Sequence, residues 1–139
     1  MSINYFCEEI TFNLNGKRKI SNWIKEVAAQ ERKTIDNLCY VFVSDEIILD
    51  LNKKYLKHDY YTDIITFDYS TEDIISGELY ISINTVKENA KEYKIDFYAE
   101  LHRVMVHGLL HLCGHKDDTE AQQQKMRQIE DKYIKILKH

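Results

Sequence analysis

A chain of 139 residues with 44% hydrophobic content has enough apolar side chains for one domain, residues 1–139, with a real core. Its net charge of −4 excludes a molecule-wide field that would attract nucleic acid, so any RNA contact must come from a local basic patch or a bound dication. His107 and His111 interrupt the best apolar run, which leaves no segment able to span a bilayer.

Taken in order, Met1–Glu9 lacks the basic start and apolar stretch of a secretory signal. Ile10, Phe12 and Leu14 alternate with Thr11 and Asn13, which predicts a strand. Ile20, Trp23, Ile24 and Val27 follow the helical period. Leu38–Val43 is a short apolar run of strand type, and Ser44 and Asp45 cap a helix bearing Ile47, Ile48, Leu51 and Tyr55. Asp63–Tyr69 reads as a third strand, and Gly77 opens a fourth over Glu78–Ile83. Asn84 then caps a short helix with Val86, Ala90 and Tyr93 turned inward. Asp96 caps a long helix that is apolar nearly all round and so is expected to be central. Gly114 suits the left-handed residue that ends it, and a last helix after Asp118 carries Met126, Ile129, Tyr133 and Ile136 as its inner stripe. The pattern predicts an α+β fold, a small mixed four-stranded sheet packed with helices. Cys7, Cys39 and Cys113 form no CxxC pair, and an odd count fits a reducing compartment, so a cytoplasmic setting is expected.

The chemistry concentrates in the long helix. His107 and His111 stand one turn apart on one face, with a glycine and a cluster of possible ligands just beyond. Two imidazoles on a helix plus a third ligand past its end is the layout of a zincin-like metal helix with an open catalytic position. The third ligand is His115, Asp117 or Asp118, and Asp117 has more room than His115 to fold back. The competing account is a pair of core histidines bonded to backbone or to each other. Asp117–Glu120 can equally serve as a helix start, where carboxylates cap and offset the dipole. A metalloprotease would carry a glutamate after the first histidine, and here that place is Gly108.

The run His107-Gly108-Leu109-Leu110-His111-Leu112-Cys113-Gly114-His115-Lys116-Asp117 resembles, without a gap, the motif of the YbeY family of bacterial metal-dependent endoribonucleases. Thr62–Phe67 and Gly77–Ser82 are similar to two further family segments, and order and spacing agree from about Leu51 to Glu130. The resemblance implies zinc held by His107, His111 and Asp117, with Asp117 where the family has a third histidine. A carboxylate is a legitimate ligand there, but it lowers the site's positive charge. His115 stands at the motif tyrosine and remains a rival ligand or general base, so the catalytic candidates are His107, His111 and His115. The family's phosphate-contacting arginine is absent from Asn52-Lys53-Lys54-Tyr55-Leu56, which leaves Lys53, Lys54, Lys57 and Arg103, with His58 beside them, as candidate RNA contacts. Tyr60 and Tyr61 offer faces for stacking unpaired bases.

The implied activity is hydrolysis of phosphodiesters in single-stranded RNA, in ribosomal RNA maturation and ribosome quality control. Ribosomal RNA and the small subunit are the expected partners, with no DNA and no membrane. Two other readings fit the residues: a metal-dependent hydrolase of a peptide or small amide, and a ribosome-assembly RNA-binding module without catalysis.

Overall fold

The computed structural model describes residues 2–56, of Leu56 the backbone alone, and residues 62–137. Lys57, His58, Tyr60 and Tyr61 lie outside the described residues. Strands β1 (Ser2–Glu8), β2 (Thr34–Val43), β3 (Ile64–Asp68) and β4 (Ile74–Ser82) form a mixed sheet in the order β1-β2-β4-β3. The first three in that order run parallel, and β3 pairs antiparallel with β4 at the edge. Helix α1 (Lys17–Gln30) connects β1 to β2. Helix α2 (Asp45–Leu51) and one wider turn at Asn52–Leu56 follow β2. Helices α3 (Ile83–Tyr93), α4 (Phe97–Leu112) and α5 (Glu120–Leu137) complete the chain.

Helix α4 is central because its apolar residues leave it no solvent face. Leu101, Met105, Val106, Leu109 and Leu110 are fully buried, in one cluster with Leu38, Tyr40, Leu79 and Ile81 of the sheet. It crosses the sheet at Gly108. A Cβ there would lie 2.3 Å from Leu79 Cδ2 of β4 and 2.6 Å from Ile64 Cδ1 of β3. Glycine thus lets the helix sit directly on the edge of the sheet that bears the site.

Four local expectations shift. The early strand lies at Ser2–Glu8, while Ile10, Phe12 and Leu14 reach the core from an unpaired segment. Phe12 packs edge-on against Phe42 at 5.0 Å and Phe97 at 5.8 Å, so the alternation reports burial rather than ladder pairing. β4 begins at Ile74, with Gly77 inside it. Ser82 rather than Asn84 caps α3, its Oγ accepting from Thr85 N at 3.1 Å. Tyr93 points outward, 56% exposed, at the last residue of α3.

Candidate metal centre

The end of α4 is built so that one of its own histidines is aimed by the turn that follows. Gly114 has φ 103°, which a side chain would strain. His115 N donates to Leu110 O at 3.0 Å and Gly114 N to His111 O at 3.0 Å, the Schellman pattern of a glycine-terminated helix. The chain reversal brings the carbonyl of His115 onto His111 Nδ1, at 3.1 Å. The turn then leads to Asp117, whose carbonyl accepts from Gln123 Nε2 at 3.1 Å. Thr119 caps α5, accepting from Gln122 N while Gln122 Oε1 reaches back to the amides of Asp118 and Thr119, a capping box.

The three residues meet at one point. His107 Nε2 and His111 Nε2 are 2.9 Å apart, and Asp117 Oδ2 is 3.3 Å from the first and 3.5 Å from the second. The other nitrogen of each ring is already committed. His107 Nδ1 donates to Glu130 Oε2 at 2.6 Å, and His111 Nδ1 donates to the His115 carbonyl. With both rings neutral, each presents a lone pair at Nε2, and two lone pairs at 2.9 Å repel unless a proton or a metal cation lies between them. Tetrahedral zinc with bonds of about 2.0–2.1 Å has ligand–ligand edges of about 3.3 Å, close to the triangle found here. The donor set fits a dication held by two imidazoles and a carboxylate, with a position left for water or substrate.

Burial pulls the pKa of His107 down, but Glu130, Asp117 and Asp63 push it further up, so the net shift is upward. Glu130 is 4% exposed and also accepts from Arg103 Nη1 at 2.9 Å; Arg103 Nη2 reaches Asp131 at 2.6 Å. Cys113, beside the helix end, has its thiol pushed up to about 12, chiefly by burial, which makes it a poor ligand near neutrality.

Two clefts open on the triad. One, of about 480 Å³, runs along β3 and is lined by Thr62, Ile64, Thr66 and Asp68. The other, of about 460 Å³, lies between α3, α4 and α5. Asp63, His107 and Asp117 line both. Asp63 is largely buried, and burial raises its pKa despite the opposing charge of His107.

The remaining candidates fall elsewhere. His115 Nε2 bonds Glu31 Oε1 at 2.6 Å, and Tyr133 Oη donates to Glu31 Oε2 at 2.5 Å. This clasp ties the metal loop to the end of α1 and to α5, and His115 lines neither cleft. Arg103 is held by its two carboxylates, though it borders the second cleft. Lys53 and Lys54 lie exposed on the turn after α2, with Lys54 Nζ 5.7 Å from the Tyr55 ring. Reading the sequence missed Glu31, Glu130 and Asp63. Glu130 lies one helical turn before Tyr133 on the expected inner stripe, a carboxylate on an apolar face, which is the signal that would have found it.

Residues 3–138 match the model of the family described as Endoribonuclease YbeY. The chain belongs to this family. Relatives named Endoribonuclease YbeY include one from Parabacteroides distasonis, 45% identical over 99% of this chain and 96% of its own length. One from Bacteroides fragilis is 45% identical over 99% of each chain. The solution structure of TM1509 from Thermotoga maritima superposes with a TM-score of 0.70 at 27% identity, over 98% of this chain and 89% of that one. Among its described residues, this YbeY-family chain has no helix long and apolar enough to cross a membrane.

Proposed function

We propose that this YbeY-family chain is a zinc-dependent endoribonuclease that hydrolyses phosphodiesters in single-stranded RNA. Its place is in ribosomal RNA maturation and quality control in the cytoplasm, on RNA of the small ribosomal subunit. One observation carries the reading: two imidazole Nε2 atoms and a carboxylate converge where two clefts meet, in a chain matched almost end to end by relatives named as endoribonucleases. His107, His111 and Asp117 would hold the metal. A dication held there would supply Lewis-acid chemistry, polarising a phosphoryl oxygen and acidifying a water. Asp117, being anionic, tempers that acidity relative to a third imidazole.

Asp63 takes the proton of the attacking water. Among the described residues it is the one shared by both clefts that is not a ligand, and it carries a carboxylate able to accept a proton. His115 is spoken for by Glu31. Lys53 and Lys54 hold the RNA backbone as it approaches. A peptidase is the weaker reading, because Gly108 replaces the protease glutamate and Leu79 and Ile64 crowd the space a glutamate side chain would need.

The test is an assay of zinc-loaded protein on single-stranded RNA and on peptides, with His111→Ala alongside. RNA cleavage lost in the variant supports the reading; cleavage that persists belongs to a contaminant and overturns it. Metal analysis separates the ligand candidates. Asp117→Ala should lose the metal while His115→Ala keeps it, and loss in the His115 variant alone overturns the ligand set.

A further inference from the structure

The cleft between α3, α4 and α5 is walled unlike a phosphate site. Among the described residues it carries five carboxylates, Asp63, Glu100, Asp117, Glu120 and Glu130, against the guanidiniums of Arg103 and Arg127. Arg103 and Glu130 pair with each other, which leaves four carboxylates facing Arg127. A second phosphate would be repelled there, whereas a neutral heterocycle would not. Glu100 lies deep in the cleft, 4% exposed, with the Asn89 side chain hydrogen-bonded to it. At the rim stands Tyr93, whose ring is more than half exposed beside a polar cleft instead of packed in the core. Glu100 precedes His107 by two helical turns, about 10 Å along the axis. One nucleotide spans such a length from its phosphate to the polar edge of its base.

From this geometry we infer that the cleft binds one nucleobase of the RNA strand whose phosphate lies at the metal triad. Tyr93 stacks on the base, and Glu100 and Asn89 read its polar edge. The inference rests on the endoribonuclease reading. A carboxylate reads N–H donors, and guanine presents a ring N–H and an amine side by side. Uracil flanks its single N–H with two carbonyls, which face the cleft's carboxylates unfavourably. The cleft therefore selects guanine over uracil at one position next to the cleaved bond.

Short single-stranded RNAs that differ only in guanine or uracil at each flanking position test this on the zinc-loaded protein. The expected preference in kcat/KM is about tenfold for guanine at one position. Tyr93→Ala should lower kcat/KM about fivefold to a hundredfold through KM, the range of one lost stack. Glu100→Gln should shrink the guanine-to-uracil ratio. Tyr93 is exposed, so its variant folds even if the Glu100 variant does not. Uniform cleavage at every position, with Tyr93→Ala within about twofold of wild type, overturns the base site and leaves the endoribonuclease reading standing. If the wild type cleaves no RNA, that reading falls instead, and saturation-transfer NMR of guanosine and uridine on the metal-free protein decides the cleft. Guanosine binding weakened by Tyr93→Ala supports it; equal signals for both nucleosides, or none, overturn it.

Discussion

Glu130 meets two donors at once, Nδ1 of His107 and the guanidinium of Arg103, while remaining almost fully buried. A buried carboxylate is tolerated only when its oxygens are bonded, and here one oxygen serves each partner. The bond to His107 fixes the tautomer that leaves Nε2 free to ligate. Glu130→Gln keeps the shape but removes the charge, so zinc affinity should fall about 10–100-fold, read by competition with a chromophoric chelator. The same contact governs pH dependence in the metal-free protein. A folded pKa for His107 above the unfolded value adds stability that is complete below about pH 6.5 and is lost as pH rises through the folded value. Urea midpoints measured from pH 6 to 8 should fall in the metal-free wild type and fall less in Glu130→Gln. Parallel slopes would show that the pair is not their cause.

Element by element, α4 is set by sterics as much as by chemistry. Gly108→Ala adds a methyl group where Leu79 and Ile64 already press against the helix, at an overpacking cost of about 1–3 kcal/mol. The gain in helix propensity returns only about 1 kcal/mol. The alanine variant should therefore be modestly less stable than wild type in urea, and Gly108→Glu should not fold. An alanine variant as stable as wild type would mean that Leu79 and Ile64 yield freely. This crossing also shows what the sequence could say. The histidine spacing, the Asp96 cap and Gly114 are local signals, and they locate α4 and two of the three converging ligands. The placement of β1 was hidden because the stronger alternation at Ile10–Leu14 serves core packing without pairing. Glu31 was illegible for a different reason: it meets His115 across 84 residues, and no periodicity encodes that contact.

Across the whole molecule, two of the three histidines of α4 have opposite preferences. His102 lies between Trp23 of α1 and Tyr98, its ring 6.0 Å and 5.7 Å from theirs, and its buried Nε2 has no hydrogen-bond partner among the described residues. Burial, with Lys19 adding to it and Asp96 opposing, lowers its pKa to about 4. Between that value and about 6.5 the unfolded chain binds a proton that the folded chain refuses, so stability is lost as pH falls through this window. His107 loses its contribution in the other direction, above about pH 6.5. These two residues, five apart on one helix, thus weaken the metal-free protein in opposite directions of pH. Glu31 acts lower still. Burial raises its pKa, but its bonds to Tyr133 and His115 more than offset this, so its contribution is lost only below the ordinary glutamate range. His102→Phe removes the titrating ring and keeps an aromatic body between Trp23 and Tyr98. Thermal midpoints measured from pH 4.5 to 6.5 should rise more steeply in the wild type than in the variant. A variant that keeps the wild-type slope over that range would assign the acid loss to carboxylates and remove His102 from the account.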